Sequence, residues 1–101
     1  MGWKFFVLEI TYRVAAEELG ETVTEHRAFL QTGYDQGWLL LSGPMVPRTG
    51  GMLIGRAPSR EALEAFFAND PYRLKGLADY RIIEFEPVKF APVVEHWVKD
   101  D

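Results

Sequence analysis

A chain of 101 residues with 48% hydrophobic residues and a formal charge of −4 is expected to fold as one domain with a sizeable core. The absence of cysteine excludes disulfides and thiolate chemistry, and the absence of a Lys/Arg run disfavours nucleic acid and anionic membranes as partners. Because no apolar run approaches the roughly 20 residues of a membrane span and residues 1–7 lack a cleavable secretory pattern, a single cytoplasmic domain over residues 1–101 is expected.

The first half of the chain predicts a strand followed by a helix. Residues 3–12 are β-formers with apolar side chains on both faces, which is typical of a central strand. A polar connection over residues 13–20 leads to Thr22–Glu25, which has the spacing of a capping box. The helix is predicted to continue to about Gln36, with Gly37 as a left-handed stop. One helical stripe should face the sheet and comprises His26, Phe29, Leu30 and Gly33.

Residues 38–43 predict a second strand, which is the most apolar run in the chain and which breaks at Pro44. A loop leads to a third strand over residues 50–56, so the two strands are predicted to form a hairpin. Ser59 should then cap a second helix. The buried stripe of that helix is expected to comprise Leu63, Phe66 and Phe67.

Asp70 and Pro71 have the pattern of an N-cap and a first helical residue, so a short helical turn is predicted that ends near Gly76. Residues 78–86 predict the fourth strand, which Pro87 ends. The tail, residues 88–101, mixes apolar and charged residues. The part beyond a core of about residues 3–89, residues 90–101, is expected to pack on its own subunit or on a partner.

The order β-α-β-β-α-β predicts a ferredoxin-like α+β sandwich. Right-handed crossovers place both helices on one face of a four-stranded antiparallel sheet, with the first and third strands central. The opposite face has no predicted element to cover its apolar side chains. Since large open apolar faces are rare on monomers, a homodimer with the sheets face to face is expected.

The same topology brings distant polar side chains to one rim of the sandwich. The first helix begins at this rim, the second strand and second helix end there, and the fourth strand starts there. A small-molecule site is therefore predicted at this rim. Its candidate residues are Tyr12, His26, Ser42, Pro44, Arg48, Asp70 and Tyr72.

Each candidate catalytic residue has a structural alternative. His26 is either a partly buried histidine with one hydrogen bond or a general acid/base, the role that imidazole suits near neutral pH. Asp70 caps a helix, orients His26, or does both if one oxygen caps while the other contacts the imidazole. Ser42 is more often a strand-end hydroxyl than a nucleophile. Because no nucleophile elbow surrounds it, proton transfer is preferred to acyl transfer.

The remaining candidates concern binding. Arg48 either clamps an anionic substrate or is solvated, and Tyr12 and Tyr72 line a pocket or cover the edge of the core. The two histidines, His26 and His96, lie in unrelated segments without metal-ligand spacing, so neither a metal nor another cofactor is expected.

These pieces resemble the YCII-related (YciI-like) family of the dimeric α/β-barrel superfamily. The resemblance covers roughly residues 3–89 and rests on the order and spacing of several short motifs. It implies a ferredoxin-like fold, a dimer and a His-Asp pair proposed as catalytic, here His26 and Asp70 with Ser42 nearby. Most members of the family have no assigned reaction, and one branch is linked to dehydrochlorination of hydroxylated chloroaromatics. The motifs are His26 with residues 28–30, Gly37 with residues 40–44, residues 69–72 with Gly76, and residues 85–87.

The leading hypothesis is a small cofactor-independent enzyme of lyase, isomerase or dehalogenase type. His26 would act as general acid or base, Asp70 would orient it, and Ser42 or Arg48 would polarise or anchor the substrate. One alternative is a non-enzymatic, ligand-binding or regulatory dimer that uses the same pocket. The other is a structural or interaction role in which His26 and Asp70 serve stability alone.

Overall fold

A computed structural model describes residues 2–100, and the two ends of the predicted domain, Met1 and Asp101, lie outside the described residues. The strands are β1 (Lys4–Tyr12), β2 (Leu39–Pro44), β3 (Gly50–Ala57) and β4 (Ala78–Phe85). The helices are α1 (Thr22–Asp35), α2 (Arg60–Phe67), α3 (Pro71–Leu74) and α4 (Glu95–Lys99), with 3-10 helices at Ala16–Leu19 and Pro92–Val94. Within residues 2–100, no helix has the length and apolar character needed to cross a membrane.

The strands form one antiparallel sheet in the order β2-β3-β1-β4, with β1 and β3 at the centre as the sequence predicts. Leu8 pairs with Leu53 on one side and with Ile82 on the other. Because side chains alternate along a strand, Phe6, Leu8 and Ile10 share one face, and all three are buried. The two longer helices pack on this face. The predicted ferredoxin-like α+β fold is therefore confirmed.

Aromatic rings fill much of the core between the sheet and the helices. Phe29 of α1 stacks on Phe66 of α2 with ring centroids 4.6 Å apart, and Phe67 meets Phe66 edge-on at 5.0 Å. Gly33 allows α1 to approach β2 closely, because a Cβ at Gly33 would lie 2.8 Å from the Leu39 Cδ1 atom. The helix that carries His26 is thereby held against the strand that ends at the candidate site.

The capping box predicted over Thr22–Glu25 is wrong. Thr22 is the first helical residue, and the N-cap residue before it makes no side-chain cap bond. The Lys75 Nζ atom instead donates to Thr22 Oγ1 at 3.1 Å and to Glu25 Oε1 at 2.9 Å, so these side chains tie α1 to the residue after α3. At the other end, Gly37 has a φ of 78°, as predicted, and the helix closes with a Schellman motif.

The predicted starts of α2 and α3 are confirmed. The Ser59 hydroxyl accepts the Ala62 N–H at 3.0 Å, and Asp70 is the N-cap before Pro71 at the start of α3. Gly76 follows this turn with a φ of 68°. The chain thus reverses from α2 into β4 within a few residues, and Asp70 lies at the reversal.

The sequence does not predict the helical structure in two parts of the chain, the connection after β1 and the tail, where the 3-10 helix Pro92–Val94 precedes α4. The connection contains the 3-10 helix Ala16–Leu19, in which Leu19 is buried and the Glu18 carboxylate accepts the Ala15 N–H at 3.2 Å. The Trp97 ring of α4 packs edge-on against Phe5 of β1, with centroids 5.5 Å apart.

Arg56 connects the tail to the sheet. Its side chain is 6% exposed, and its guanidinium lies 4.2 Å from the Trp3 ring centroid and 5.1 Å from that of Trp97. Its Nε donates to the Gly37 carbonyl at 2.8 Å and its Nη1 to the Trp97 carbonyl at 2.6 Å, while Nη2 contacts Asp100 at 3.2 Å. A buried planar cation between two indoles is a favourable arrangement because stacking and charged hydrogen bonds reinforce each other.

The sheet face opposite the core, which we call the open face, is only partly uncovered. The expectation that no element of this chain covers it is wrong at one end, because Trp97 lies over Phe5 there. The reason is that the tail forms α4 and is held by Arg56. The remainder of the open face carries Glu9 and Arg81, which form an ion pair, and four exposed apolar side chains with exposed fractions from 38% to 55%. The four apolar residues are Leu41, Met52, Ile83 and Phe85.

Candidate active site

A cavity of about 370 Å3 opens at the rim where β1 and β2 end and β3 begins. It lies between the sheet and the face of α1, and its wall is mostly apolar. Six of the seven predicted site residues line it, and the seventh, Asp70, lies behind His26. The predicted lining residues are Tyr12, His26, Ser42, Pro44, Arg48 and Tyr72, and the apolar wall includes Ile10, Leu30 and Leu53.

His26 and Asp70 form a buried hydrogen-bonded pair. The Nδ1 atom of His26 lies 2.9 Å from each carboxylate oxygen of Asp70. The histidine is 9% exposed and the aspartate is fully buried. Residues 44 positions apart in the sequence thus meet because α1 and α3 begin at the same rim of the fold.

Asp70 is held by more than the histidine. Its Oδ1 atom accepts the Tyr72 N–H at 3.1 Å, which is the N-cap bond of α3. Its Oδ2 atom accepts the Tyr80 hydroxyl at 2.6 Å. Among the described residues, three donors therefore converge on one carboxylate, which is how a buried negative charge is stabilised. Helix capping and contact with His26 coexist on the same side chain, as the sequence suggests they can.

This arrangement assigns the protons of His26. A carboxylate only accepts hydrogen bonds, so Nδ1 donates to Asp70 and Nε2 of the neutral ring carries the lone pair. The Nε2 atom has no hydrogen-bond partner within residues 2–100, and no buried polar side-chain atom in that range is unpaired. Nε2 is therefore accessible, and His26 presents it to the cavity that it lines.

The tyrosines around His26 form the polar end of the cavity. The Tyr72 ring stacks on the imidazole, and the Tyr12 ring meets Tyr72 edge-on with centroids 5.8 Å apart. Burial, followed by the neighbouring Tyr12 hydroxyl, raises the pKa of Tyr72 to about 12. The Tyr12 hydroxyl also raises the pKa of the Arg48 guanidinium. Two phenol side chains and a permanent cation thus line the same cavity as the imidazole.

Ser42 lies on the opposite wall, and its partner is another hydroxyl. The Ser42 Oγ and Tyr34 Oη atoms are 2.6 Å apart. In the part of the chain that the structure describes, no hydrogen bond joins Ser42 to His26. A serine–histidine–aspartate hydrogen-bonded chain is therefore not formed, which agrees with the preference for proton transfer over acyl transfer.

Sequence reasoning misses two residues of the site, Tyr34 and Tyr80. Tyr80 shares the core face of β4 with Ala78 and Ile82, and the strand alternation could have indicated that it points toward α3. Tyr34 lies two turns beyond His26 on α1, and helical spacing could have placed it on the cavity side. Within residues 2–100, no cluster of three or more His, Cys, Asp or Glu side chains is suited to hold a metal ion.

The fold and the site define a ferredoxin-like α+β domain with a buried His–Asp pair at the mouth of an apolar cavity. The family model of the YCII-related domain matches residues 4–86, and the chain belongs to this family. The tail and its α4 helix lie outside the matched residues. No curated protein matches the sequence.

Solved structures share the fold. The structure of 5-chloro-2-hydroxyhydroquinone dehydrochlorinase (TftG) from Burkholderia phenoliruptrix AC1100, in complex with 2,5-dihydroxybenzoquinone, has a TM-score of 0.66. It is 23% identical, and the match covers 86% of this chain and 95% of that one. SnoaB from Streptomyces nogalater, described as a cofactor-independent oxygenase, has a TM-score of 0.55 at 15% identity, over 91% of this chain and 99% of that chain. At these identities the likeness concerns the fold alone.

Proposed function

We propose that this protein is a cofactor-independent enzyme in which His26 is the general acid/base and Asp70 orients it. The substrate is a small hydroxylated aromatic or otherwise enolisable molecule. The observation that carries the proposal is the buried His26–Asp70 pair whose free ring nitrogen faces an apolar cavity. Carboxylate-oriented imidazoles of this kind act as proton-transfer groups near neutral pH.

The proposed reaction begins with proton abstraction by the Nε2 atom of His26. The electron pair released from the substrate moves onto a substrate oxygen, which becomes a phenolate or enolate, and Asp70 stabilises the imidazolium that forms. Arg48 and the Tyr12 hydroxyl stabilise the new oxyanion. In isomerisation, the anion recovers the proton from His26 at a ring or chain carbon. In elimination, that carbon is the one that bears the halide; a second deprotonation of a substrate hydroxyl by His26 then expels halide from it, and the imidazolium returns its proton to solvent.

The size of the cavity and the fold relatives support this substrate class. A volume of about 370 Å3 is near the small end of ligand pockets, which favours a single-ring molecule. TftG is described as a dehydrochlorinase of a chlorinated hydroxyhydroquinone, and its structure holds a dihydroxybenzoquinone. SnoaB is described as an oxygenase without a cofactor. Ring substrates with acidic hydroxyl groups are therefore the first to test.

We also propose that the protein forms a homodimer through its open face. The exposed side chains of Leu41 and Ile83 on this face support the proposal. The strand register joins them through Ile54 and Val7, so apolar side chains form a row across all four strands. A contiguous apolar patch of this kind is typical of an interface.

The test is a turnover assay on chlorinated and unchlorinated hydroxyhydroquinones and on keto acids. For a substrate that is turned over, His26→Gln should lower kcat/KM by about 10²- to 10⁴-fold, the usual contribution of general acid–base catalysis. His96→Gln is the matched control, because His96 lies in the tail and does not line this cavity. Unchanged turnover in His26→Gln would show the catalytic assignment to be wrong. Binding without product at any pH would favour the alternative of a ligand-binding dimer.

A further inference from the structure

We propose that Tyr80 is a positioning residue of this site, which acts through Asp70 to fix the tautomer and set the basicity of His26. The inference rests on the proposed role of His26 as the acid/base group. It concerns a residue that does not line the cavity and that touches the imidazole only through the carboxylate.

The backbone of β4 and the neighbouring side chains fix the Tyr80 ring. Tyr80 is paired with Ile10 in the antiparallel register, so it points to the core side of the sheet. Its ring centroid lies 5.9 Å from that of Phe67 on one side, and the Arg73 guanidinium lies 5.6 Å from it. These contacts restrain the ring, so the Tyr80 hydroxyl has a fixed position, 2.6 Å from the Oδ2 atom of Asp70.

The hydroxyl of Tyr80 remains a donor at physiological pH. Burial, followed by the hydrogen bond to Asp70, raises the pKa of Tyr80 well above its ordinary value. The proton therefore stays on the phenol, and the negative charge stays on the carboxylate. The Oδ1 atom already accepts the Tyr72 N–H. Without Tyr80, the Oδ2 atom would have only His26 as a donor among the described residues, so the Tyr80 hydroxyl gives it a second, fixed donor.

The hydrogen bond from the Tyr80 hydroxyl reduces the negative charge that the Asp70 carboxylate presents to His26. Hydrogen bonds to a carboxylate spread its charge and weaken its pull on any other cation. Removal of the Tyr80 hydroxyl should therefore strengthen the attraction between Asp70 and the imidazolium. The pKa of His26 should rise, and more of the base should be protonated, and so inactive, at neutral pH.

Other charged and titratable groups near His26 come from every neighbouring element, and Tyr80→Phe leaves all of them in place. From α1 itself these are Arg27 and Tyr34, on the cavity wall, and Glu25, which pairs with Lys75. From the remaining elements they are Tyr12 of β1, Arg48 of the β2–β3 loop, Asp70 and Tyr72 at α3, and Arg73 beside Tyr80.

The first measurement is an NMR titration of the imidazoles, which the presence of only two histidines makes simple. In Tyr80→Phe, the pKa of His26 should rise by about 0.5 to 1 unit relative to wild type. The acid limb of the kcat/KM profile should move to higher pH by the same amount. His96 is the internal control for the titration. Tyr34→Phe removes a hydroxyl from the cavity wall that is not bonded to Asp70, so it should leave the pKa of His26 in place.

A double-mutant comparison tests whether the effect passes through Asp70. In the Asp70→Asn background, Tyr80→Phe should no longer shift the pKa of His26. An unchanged pKa of His26 in Tyr80→Phe alone, or a shift that persists in the Asp70→Asn background, would overturn the role of Tyr80. The NMR titrations of His26 need no substrate. Unchanged turnover in His26→Gln would instead refute the proposed function while the titration still reports on Tyr80.

Discussion

The imidazole of His26 lies flat against the ring of Tyr72, with 4.0 Å between the ring centroids and 12° between the planes. Tyr72 follows Asp70 by two residues, so α3 supplies both the carboxylate at the edge of the imidazole and the aromatic ring on its face. A four-residue helix thereby fixes the position and the tilt of the candidate base. The Asp70–Pro71 start of α3 is thus both a helix cap and part of the site.

Asp70→Asn should reverse the tautomer of His26 and destabilise the protein. An amide offers one acceptor oxygen, which should keep the cap bond from the Tyr72 N–H. Nδ2 then takes the place of Oδ2, where it faces His26 Nδ1 and the Tyr80 hydroxyl, so Nδ1 must accept instead of donate. We expect a loss of about 1 to 3 kcal/mol in the free energy of unfolding, measured by urea denaturation. Nitrogen NMR shifts should show the proton of His26 on Nε2 instead of Nδ1.

The matched control is Asp79→Asn, which removes an exposed carboxylate of β4 that pairs with Arg13. Surface pairs of this kind contribute little to stability. An Asp70→Asn protein as stable as Asp79→Asn would contradict the view that the buried carboxylate is held by its three donors.

Gly50→Ala should destabilise the protein strongly. A Cβ at Gly50 would overlap the backbone carbonyl of Ile10, and a central strand cannot shift to make room. We expect a loss above about 2 kcal/mol in the free energy of unfolding, measured by thermal and urea unfolding. Gly43 is the control, since a Cβ there has no atom of another segment within 4 Å. Gly43→Ala should change stability by no more than about 0.5 kcal/mol. Equal losses of stability in Gly50→Ala and Gly43→Ala would show that the structure relieves the expected clash with the Ile10 carbonyl.

The alkaline limb of stability should depend on Tyr72. Its pKa is raised to about 12 in the folded protein from 10.0, so the folded state keeps a proton that the unfolded state loses above pH 10. Stability is therefore lost as the pH rises from about 10 to about 12. Urea midpoints measured across this range should fall less steeply in Tyr72→Phe than in wild type. Identical slopes would mean that ionisation of Tyr72 is not coupled to folding.

Ile83→Glu should weaken self-association if the open face is the dimer interface. Ile83 is 38% exposed on β4, an edge strand of that face, and a buried unpaired carboxylate is costly at an interface. Sedimentation at micromolar concentration should show a shift from dimer toward monomer. The control is Leu74→Glu, which places the same charge on α3, where Leu74 is 69% exposed and outside the sheet. A wild-type protein that sediments as a monomer would refute the dimer itself.

The elements that the sequence predicts well are those with strong local signals. The strands have apolar alternation, Ser59 and Asp70 have cap chemistry, and Gly37 has the left-handed stop. Because crossover handedness then leaves one arrangement of the sheet, the rim that gathers His26 and Asp70 could be predicted as well.

What the sequence does not predict depends on contacts between distant residues. Lys75 donates to the side chains of Thr22 and Glu25, which the sequence predicts to cap α1. The position of Lys75 depends on how α3 packs, which the local sequence does not indicate. Arg56 organises α4 through stacking with Trp97, which no local pattern in the tail indicates. Ser42 lies two residues before the end of β2. Its hydroxyl contacts Tyr34, because the bulge between Leu39 and Leu41 sets which side chains face the cavity.

The stacking of Arg56 on Trp3 and Trp97 determines which events tryptophan fluorescence can report in this protein. Trp3 and Trp97 flank the guanidinium at the end of the sheet opposite the cavity, and none of the three tryptophans, all within the described residues, lines the cavity. Tryptophan emission should therefore follow detachment of the tail and remain nearly silent when a ligand enters the site. Ligand binding should instead appear in the near-ultraviolet absorbance of the tyrosines, three of which form the cavity wall: Tyr12, Tyr34 and Tyr72.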